Sequence, residues 1–291
     1  MRLLLKLNVV LILAFGAGIA VSGYLARNFL LQSAREQVLQ QARLMMGSAS
    51  AMRTYTSKQV GPLLQAHQAQ INTFLAQTVP AFAATEAFNY LRGDYPDYTY
   101  KEATLNPTNL RDRAVDWEAD VIQTFRNHPE QKEFSGERDT PGGKSLFLAK
   151  PIVALGPCLE CHSIPRAAPA AMTRIYGKNN GFDWKMGDTV AAQIINVPMS
   201  VPLGIADRAF RTLMLSLGGI ALGTMFLIDL AIIVMVIRPV ARLSSAADEI
   251  SNGNLNVPEL PVNGSDEIAQ LAQSFNRMYL SLVKAIHLLE S

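Results

Sequence analysis

Polar and apolar residues alternate with a helical period over much of this chain, and in two stretches the charges all but vanish. Leu7–Leu25 carries no charge over 19 residues, after Arg2 and Lys6. Leu213–Ile237 spans 25 residues, interrupted only by Asp229, and stops at Arg238-Pro239. At ~1.5 Å per residue, either crosses a ~30 Å hydrocarbon core. Gly18, Ala20, Ser22 and Gly23 offer cleavage sites for a signal peptide. Against cleavage, Leu31, Val38, Met45 and Met52 follow at seven-residue intervals, with Ala34, Ala42 and Ala49 on the same face. That stripe prolongs the apolar segment as one long helix, so a retained anchor is expected.

The stretch between the two spans mixes periods. Arg35 to about Gln77 reads as helix, interrupted at Gly61-Pro62. Leu110–Asn127 reads as a second helix, entered from the turn Asn106-Pro107-Thr108-Asn109. Glu130–Lys144, charged and Gly-rich, is expected to be an exposed loop. Ser145–Leu155 and Thr189–Val197 have strand character, and between them Pro165, Pro169, Gly177, Gly181 and Gly187 mark an irregular loop. The expected fold is an α+β extracytoplasmic domain at 28–210, between an anchor at 1–27 and a second transmembrane helix at 213–237.

From 238 to 291 the pattern turns to heptads. Val240, Leu243, Ala247 and Ile250 are followed, after a connector with Gly253, Pro258 and Gly264, by Ile268, Leu271, Phe275, Met278, Leu282, Ala285 and Leu289. Two short parallel helices of this kind bury their stripes by pairing, most simply as a homodimeric four-helix coiled-coil bundle. Asp266-Glu267 complements the dipole at the start of the second helix. A plain coiled coil would need no such connector.

Composition changes this picture little. The 49% hydrophobic content is accounted for by the two spans, and a net charge of +2 from scattered, mixed charges gives no nucleic-acid surface.

The chemistry is concentrated in Cys158-Leu159-Glu160-Cys161-His162, which holds both cysteines of the chain. C-x-x-C-H is the attachment pattern of a c-type haem. Two thiols three positions apart add to the two vinyl groups of one haem, and the adjoining imidazole becomes the proximal ligand of the iron. A redox dithiol has no need of the histidine. Zinc would want four N or S ligands, with only His67, His128 and His287 to supplement His162. One covalent haem c on Cys158 and Cys161, with His162 as axial ligand, is therefore expected.

That expectation also sets the orientation. Arg2, Lys6, Arg238 and Arg242 flank one side of the membrane and Arg27, Arg35, Arg208 and Arg211 the other, which leaves the positive-inside rule nearly tied. Covalent haem attachment belongs to the outer face of the bacterial inner membrane, so 28–210 should be periplasmic and both termini cytoplasmic. Asp229 costs a few kcal/mol to insert. Its two open uses are a bond across a dimer, setting helix register, or a protonated side chain reaching the membrane border.

Two resemblances extend the reading. Pro239, Gly253, Asp266-Glu267 and Phe275-Asn276-Arg277-Met278 occur in the order found in the HAMP signalling module. This implies a homodimer that relays motion from a membrane helix. The region 40–200 resembles a family of bacterial c-type haem sensor domains of PAS-like fold, long catalogued as a domain of unknown function. The resemblance is carried by Arg53-Thr54-Tyr55-Thr56, Pro62-Leu63-Leu64, Val79-Pro80-Ala81, Tyr100-Lys101-Glu102-Ala103, Leu105–Asn109, Trp117-Glu118, Cys158–His162, Ala168-Pro169, Tyr176-Gly177 and Gly181–Trp184. It implies a haem-binding sensor ahead of an output such as a kinase, cyclase or chemotaxis component.

Relatives can use an N-terminal-helix cysteine as second axial ligand, and this chain has none to spare. Met52 and Met45 lie on the corresponding stripe, with Tyr55 one turn beyond Met52 and Met172 further along. Met52 would give His/Met ligation, and Tyr55 is a lesser candidate; an open sixth site would bind a diatomic gas. A Met stripe at helical spacing also serves as plain core or seam. His67 and His128 read as surface or capping residues, and His287 lies on the cytoplasmic side. The expected function is that of a non-enzymatic, membrane-bound sensor of redox state or diatomic gas. With Ser291 following the last heptad helix, output is expected through a separate cytoplasmic partner. The alternatives are a membrane-anchored monohaem cytochrome and, last, a peroxidase-like enzyme, for which no distal acid–base residue can be assigned.

Overall fold

The computed structural model describes residues 2–262 and 264–290; the side chains of Arg2, Leu3, Gln65, Ala69, His287, Leu289 and Glu290 lie outside the described residues. It divides into two compact units, one of residues 25–210 and one of residues 1–24 with 211–291.

The 25–210 unit is a four-stranded antiparallel sheet with helices on both faces. Its strands are β1 (Thr99–Thr104), β2 (Phe134–Thr140), β3 (Gly143–Val153) and β4 (Thr189–Pro198), in the order β1-β4-β3-β2. Alternation along β3 and β4 sorts the core. Leu146, Leu148, Ile195 and Val197 face helix α1 (Arg2–Tyr55) and α3 (Pro80–Leu91), packing with Val38, Ala42, Met46, Ala84 and Phe88. Phe147, Ala149, Ala192 and Ile194 face α4 (Asp116–Asn127), against Val121, Ile122 and Phe125.

The structure corrects several expectations. The buried seam of α1 runs through Ala34, Val38, Ala42, Met46 and Ala49 and on to Thr56 just past its end, so Met46 rather than Met45 fills the core. Leu31 and Met52 are 43% and 37% exposed. A contact face near 3.6 residues per turn drifts off a strict seven-residue repeat, which explains the displacement.

The chain is not broken at Gly61-Pro62. A π turn, Thr56–Val60, joins α1 to α2 (Gly61–Ile71), and Gly61 N–H bonds Thr56 O five residues back. Arg238-Pro239 is bridged the same way. Helix α7 (Ser200–Ile232) passes through a π turn, Ile233–Ile237, into α8 (Arg238–Ser251), and Arg238 N–H bonds Ile233 O. A π turn ahead of each proline re-spaces the bonds that the ring interrupts.

Glu130–Lys144 is not one loop: Phe134–Thr140 forms β2, an edge strand that turns into β3, with Glu137 and Asp139 exposed and the Arg138 guanidinium 4.2 Å over the Trp117 ring. Leu110–Asn127 opens with only a short turn before α4 begins at Asp116. The irregular segment after β3 contains two short helices, α5 (Gly156–His162) and α6 (Ala170–Tyr176).

Asp112 closes that short turn beside β1. Burial raises its pKa to about 6, against the opposing pull of Arg111, 3.6 Å away. A carboxyl whose folded pKa lies above its unfolded value destabilises the fold as pH rises from about 4 to about 6, because the folded state must then give up a proton it holds more tightly. Asp112→Asn is therefore expected to stabilise the protein at neutral pH by at most about 3 kcal/mol. Thermal unfolding in detergent should show no gain near pH 3.5; an equal gain at both pH values would remove this account.

The other unit holds the apolar part of α1, most of α7, and then α8, a connector and α9 (Glu267–Glu290). Two of its helical stretches are long and apolar enough to cross a membrane. Gly253, at φ +90°, ends α8, and Asp266 Oδ1 caps α9 by accepting Ala269 N–H at 2.8 Å. Asn276 holds the connector through both backbone groups of one residue, accepting Leu260 N–H at 3.0 Å and donating to Leu260 O at 2.9 Å. Within one chain the covered face of α9 centres on Ala269 and Ala272. Leu271, Met278 and Leu282 of the expected stripe stay 49%, 60% and 42% exposed, since one neighbouring helix covers only part of a two-sided seam.

Candidate functional site

Cys158, Cys161 and His162 lie together on α5, a seven-residue helix. Pro157 in its first turn has a fixed backbone angle and no N–H, which starts the helix at no cost in lost bonds. Three residues apart on a helix, the two cysteines share a face. Both are unbonded and partly exposed. Burial raises the Cys161 thiol pKa, helped by the charge of Glu160.

The imidazole is held on three sides. Its Nδ1 lies 2.7 Å from the carbonyl oxygen of Gly181, which can only accept, so Nδ1 carries the proton and Nε2 keeps its lone pair. Thr108 Oγ1 stands 3.4 Å from the same nitrogen. The Trp184 ring stacks on the imidazole at 4.0 Å between centroids and 13° between planes. Burial lowers the His162 pKa, opposed by the Gly181 bond. Two backbone bonds tie the segment to the end of α5: Asp183 N–H to Ser163 O at 2.8 Å, and Trp184 N–H to His162 O at 3.2 Å.

Gly181 cannot be another residue without rearrangement. Its φ is +81°, and a Cβ there would sit 2.8 Å from the backbone nitrogen of Thr108. The stretches Leu105–Asn109 and Gly181–Trp184 thus meet at His162, a convergence that no local spacing signals. Cys161 packs against the cluster of Ala168, Met172 and Phe182, flanked by Phe74 and Tyr176. A cavity of about 510 Å³ opens beside Trp184, lined also by Asn106, Arg126 and Asp188, but not by Cys158, Cys161 or His162.

Of the residues weighed for the other side of the iron, Met45 packs at the edge of the α1 core and Met172 is buried beside Cys161. Met52 and Tyr55 are 37% and 58% exposed, off the buried seam. Arg53 lies between them on α1. Arg53 pairs with the buried carboxylate of Glu102. His67 is exposed on α2, and His128 is exposed beside Glu130.

A domain family described as Tll0287-like matches residues 31–198, and the HAMP domain matches residues 232–284. Over 78 residues the chain is 33% identical to the signal transduction histidine-protein kinase/phosphatase MprB of Mycolicibacterium smegmatis. The match takes in 27% of this chain and 16% of that protein's length, so this chain spans about a sixth of that curated relative. A crystal structure of the cyanobacterial haem protein Tll0287 aligns with 58% of this chain and 92% of its own, at 16% identity and a TM-score of 0.36.

Proposed function

The chain belongs to the Tll0287-like family, and from that membership, joined to a HAMP domain and two membrane-length helices, we propose that it is a membrane-bound haem sensor. The observation that carries the proposal is the geometry of His162. With Nδ1–H committed to Gly181 O and the ring stacked on Trp184, the nitrogen left for a metal is Nε2, on the helix that offers two free thiols. Such outer partners fix the tautomer and orientation of a ligating imidazole. The donor set suits one haem c, attached through Cys158 and Cys161 with His162 as axial ligand. Bound there, haem supplies an iron whose ligation or redox state can change.

The residues of the chain do the rest. Gly181, Thr108 and Trp184 hold the imidazole, and the segment that carries Gly181 and Trp184 leads into β4. Strand β4 runs through Met199 into α7, and Met199 N–H bonds Lys144 O at 2.8 Å. A shift around His162 thus has a short covalent route into the second membrane helix and, through the π turn, into α8. The sensor need only interact differently with two packings of the HAMP helices to bias them. The exposed Leu271, Met278 and Leu282 support a homodimer. We place residues 28–210 in the periplasm, the flanking ends in the cytoplasm, and the output in a cytoplasmic partner, the chain itself being non-catalytic. Met52, on the turn next to Arg53, is the first candidate for the second axial position, with Tyr55 after it.

The test is the absorption spectrum of protein matured with covalent haem, ferrous, before and after CO or NO. A shift on gas addition is expected for a gas sensor. A low-spin spectrum indifferent to both gases moves the reading to redox sensing or electron transfer, with Met52 the first residue to replace. No covalent haem at all overturns the proposal.

A further inference from the structure

Asp229 has a partner in its own chain. Asn8 Nδ2 donates to Asp229 Oδ2 at 3.1 Å, joining α1 to α7 inside the apolar spans. Among the described residues, three buried side-chain polar atoms have no hydrogen-bond partner: Asn8 Oδ1, Asp229 Oδ1 and Asn196 Oδ1. Two of the three are the remaining oxygens of this one pair. An ionised carboxylate only accepts, and an amide oxygen only accepts, so these two oxygens cannot satisfy each other. In hydrocarbon, each unsatisfied polar group costs several kcal/mol. A single proton removes both deficits.

We propose that Asn8 and Asp229 form an acid–amide ring, an intramembrane proton site. Asn8 Nδ2–H donates to Asp229 Oδ2, and Asp229 Oδ1–H donates to Asn8 Oδ1. The proton comes from water at the membrane face, and the carboxylate becomes the neutral acid; no other bond changes. The ring replaces both earlier uses of Asp229, the bond across a dimer and the reach to the membrane border.

A second contact shows how the ring is placed. A Cβ on Gly23 would lie 3.1 Å from Met214 Sδ, so α1 and α7 touch there as well. From Asn8 to Gly23, and from Asp229 back to Met214, is fifteen residues in each case, one antiparallel register across the span. At ~1.5 Å per residue the contacts stand about 22 Å apart. The glycine admits close approach at one end, and the ring fixes the register at the other. The consequence for signalling, which rests on the function proposed above, is that the two membrane helices of a protomer move as one body. Sliding one past the other would open a ring with no water to replace its bonds.

The test is infrared spectroscopy of the full-length protein in hydrated lipid at neutral pH, comparing Asp229→Asn, Asn8→Leu and the unaltered chain. A protonated-carboxyl carbonyl band that disappears in Asp229→Asn is expected. In Asn8→Leu the band should persist and shift toward the free-acid position. Loss of the band in neither variant, or no such band in the unaltered protein, overturns the ring. A band removed by Asp229→Asn but unmoved by Asn8→Leu also overturns it, since the proton would then sit with another partner. These readouts do not depend on haem, so they stand or fall apart from the sensor reading.

Discussion

Replacing Cys158 and Cys161 together by alanine is expected to reduce haem that survives denaturing electrophoresis to background. Each single replacement should leave one thioether and a weaker signal. Both thiols lie on α5 and are partly exposed, and the cluster that Cys161 packs against, Ala168, Met172 and Phe182, is separate from the sheet core. The strands and the α1 seam make their contacts elsewhere. Far-ultraviolet circular dichroism of the double variant should therefore match the unaltered chain. His162→Ala should separate attachment from ligation: denaturation-stable haem remains, while the spectrum loses the signature of a nitrogen axial ligand. Denaturation-stable haem in the double variant would show attachment through some other group and end the proposed assignment.

How much of this was legible depended on whether the signal was local. The two spans, β3, β4, α5's chemistry and the heptad region are written in runs or spacings of a few residues. The structure placed β3 and β4 within two residues of the expected strand limits. What failed was non-local or masked. Strand β2 was hidden because an edge strand carries charges, Glu137, Arg138 and Asp139, that also mark loops. Strand β1, Thr-Tyr-Lys-Glu-Ala-Thr, puts adjacent charges on opposite faces and pairs both with partners elsewhere in the chain, Glu102 buried and Lys101 half-buried. On one face Lys101 Nζ meets Glu118 Oε2 at 2.6 Å, and Glu118 also accepts Val115 N–H at 3.0 Å at the start of α4. On the other, Glu102 meets Arg53. The partners lie 17 and 49 positions away, beyond any periodicity. Cys158, Cys161 and His162 stand in one motif, whereas the contacts of Thr108, Gly181 and Trp184 with His162 required the fold to bring three segments together.

The Arg53–Glu102 pair yields the second large effect. Glu102 is 6% exposed, and its carboxylate is filled from two sides: Arg53 Nη1 bonds one oxygen, and Tyr100 O–H donates to the other at 2.6 Å. Gln193 Nε2 donates to the Tyr100 oxygen at 2.9 Å, so the chain of bonds runs from α1 through β1 to β4. Burial, with the Glu102 charge and hydrogen bond added, raises the Tyr100 pKa and keeps the phenol a donor. For Arg53, burial works against the charged form, but the Glu102 charge and hydrogen bond outweigh it.

Removing one partner of a buried pair leaves the other charge uncompensated, at a cost of about 3–5 kcal/mol. Glu102→Ala is expected to destabilise the protein by that amount in denaturant unfolding, with Arg53 and Tyr100 both left unpaired. Arg53→Met with Glu102→Leu removes the orphaned charge along with the pair, so the double variant should lose less than the two single losses added together. A loss below about 1 kcal/mol for Glu102→Ala would put the carboxylate in contact with water and remove the network from the core. The network also has a position that matters for signalling. Arg53 adjoins Met52 on α1, and Gln193 lies on the strand that leads to α7. Glu102→Gln keeps an acceptor for Tyr100 while discarding the charge, so its stability loss should fall between those of the unaltered chain and Glu102→Ala. If that variant folds yet no longer shifts the HAMP helices on a change at the haem, the bonds from α1 to β4 carry the signal as well as the stability.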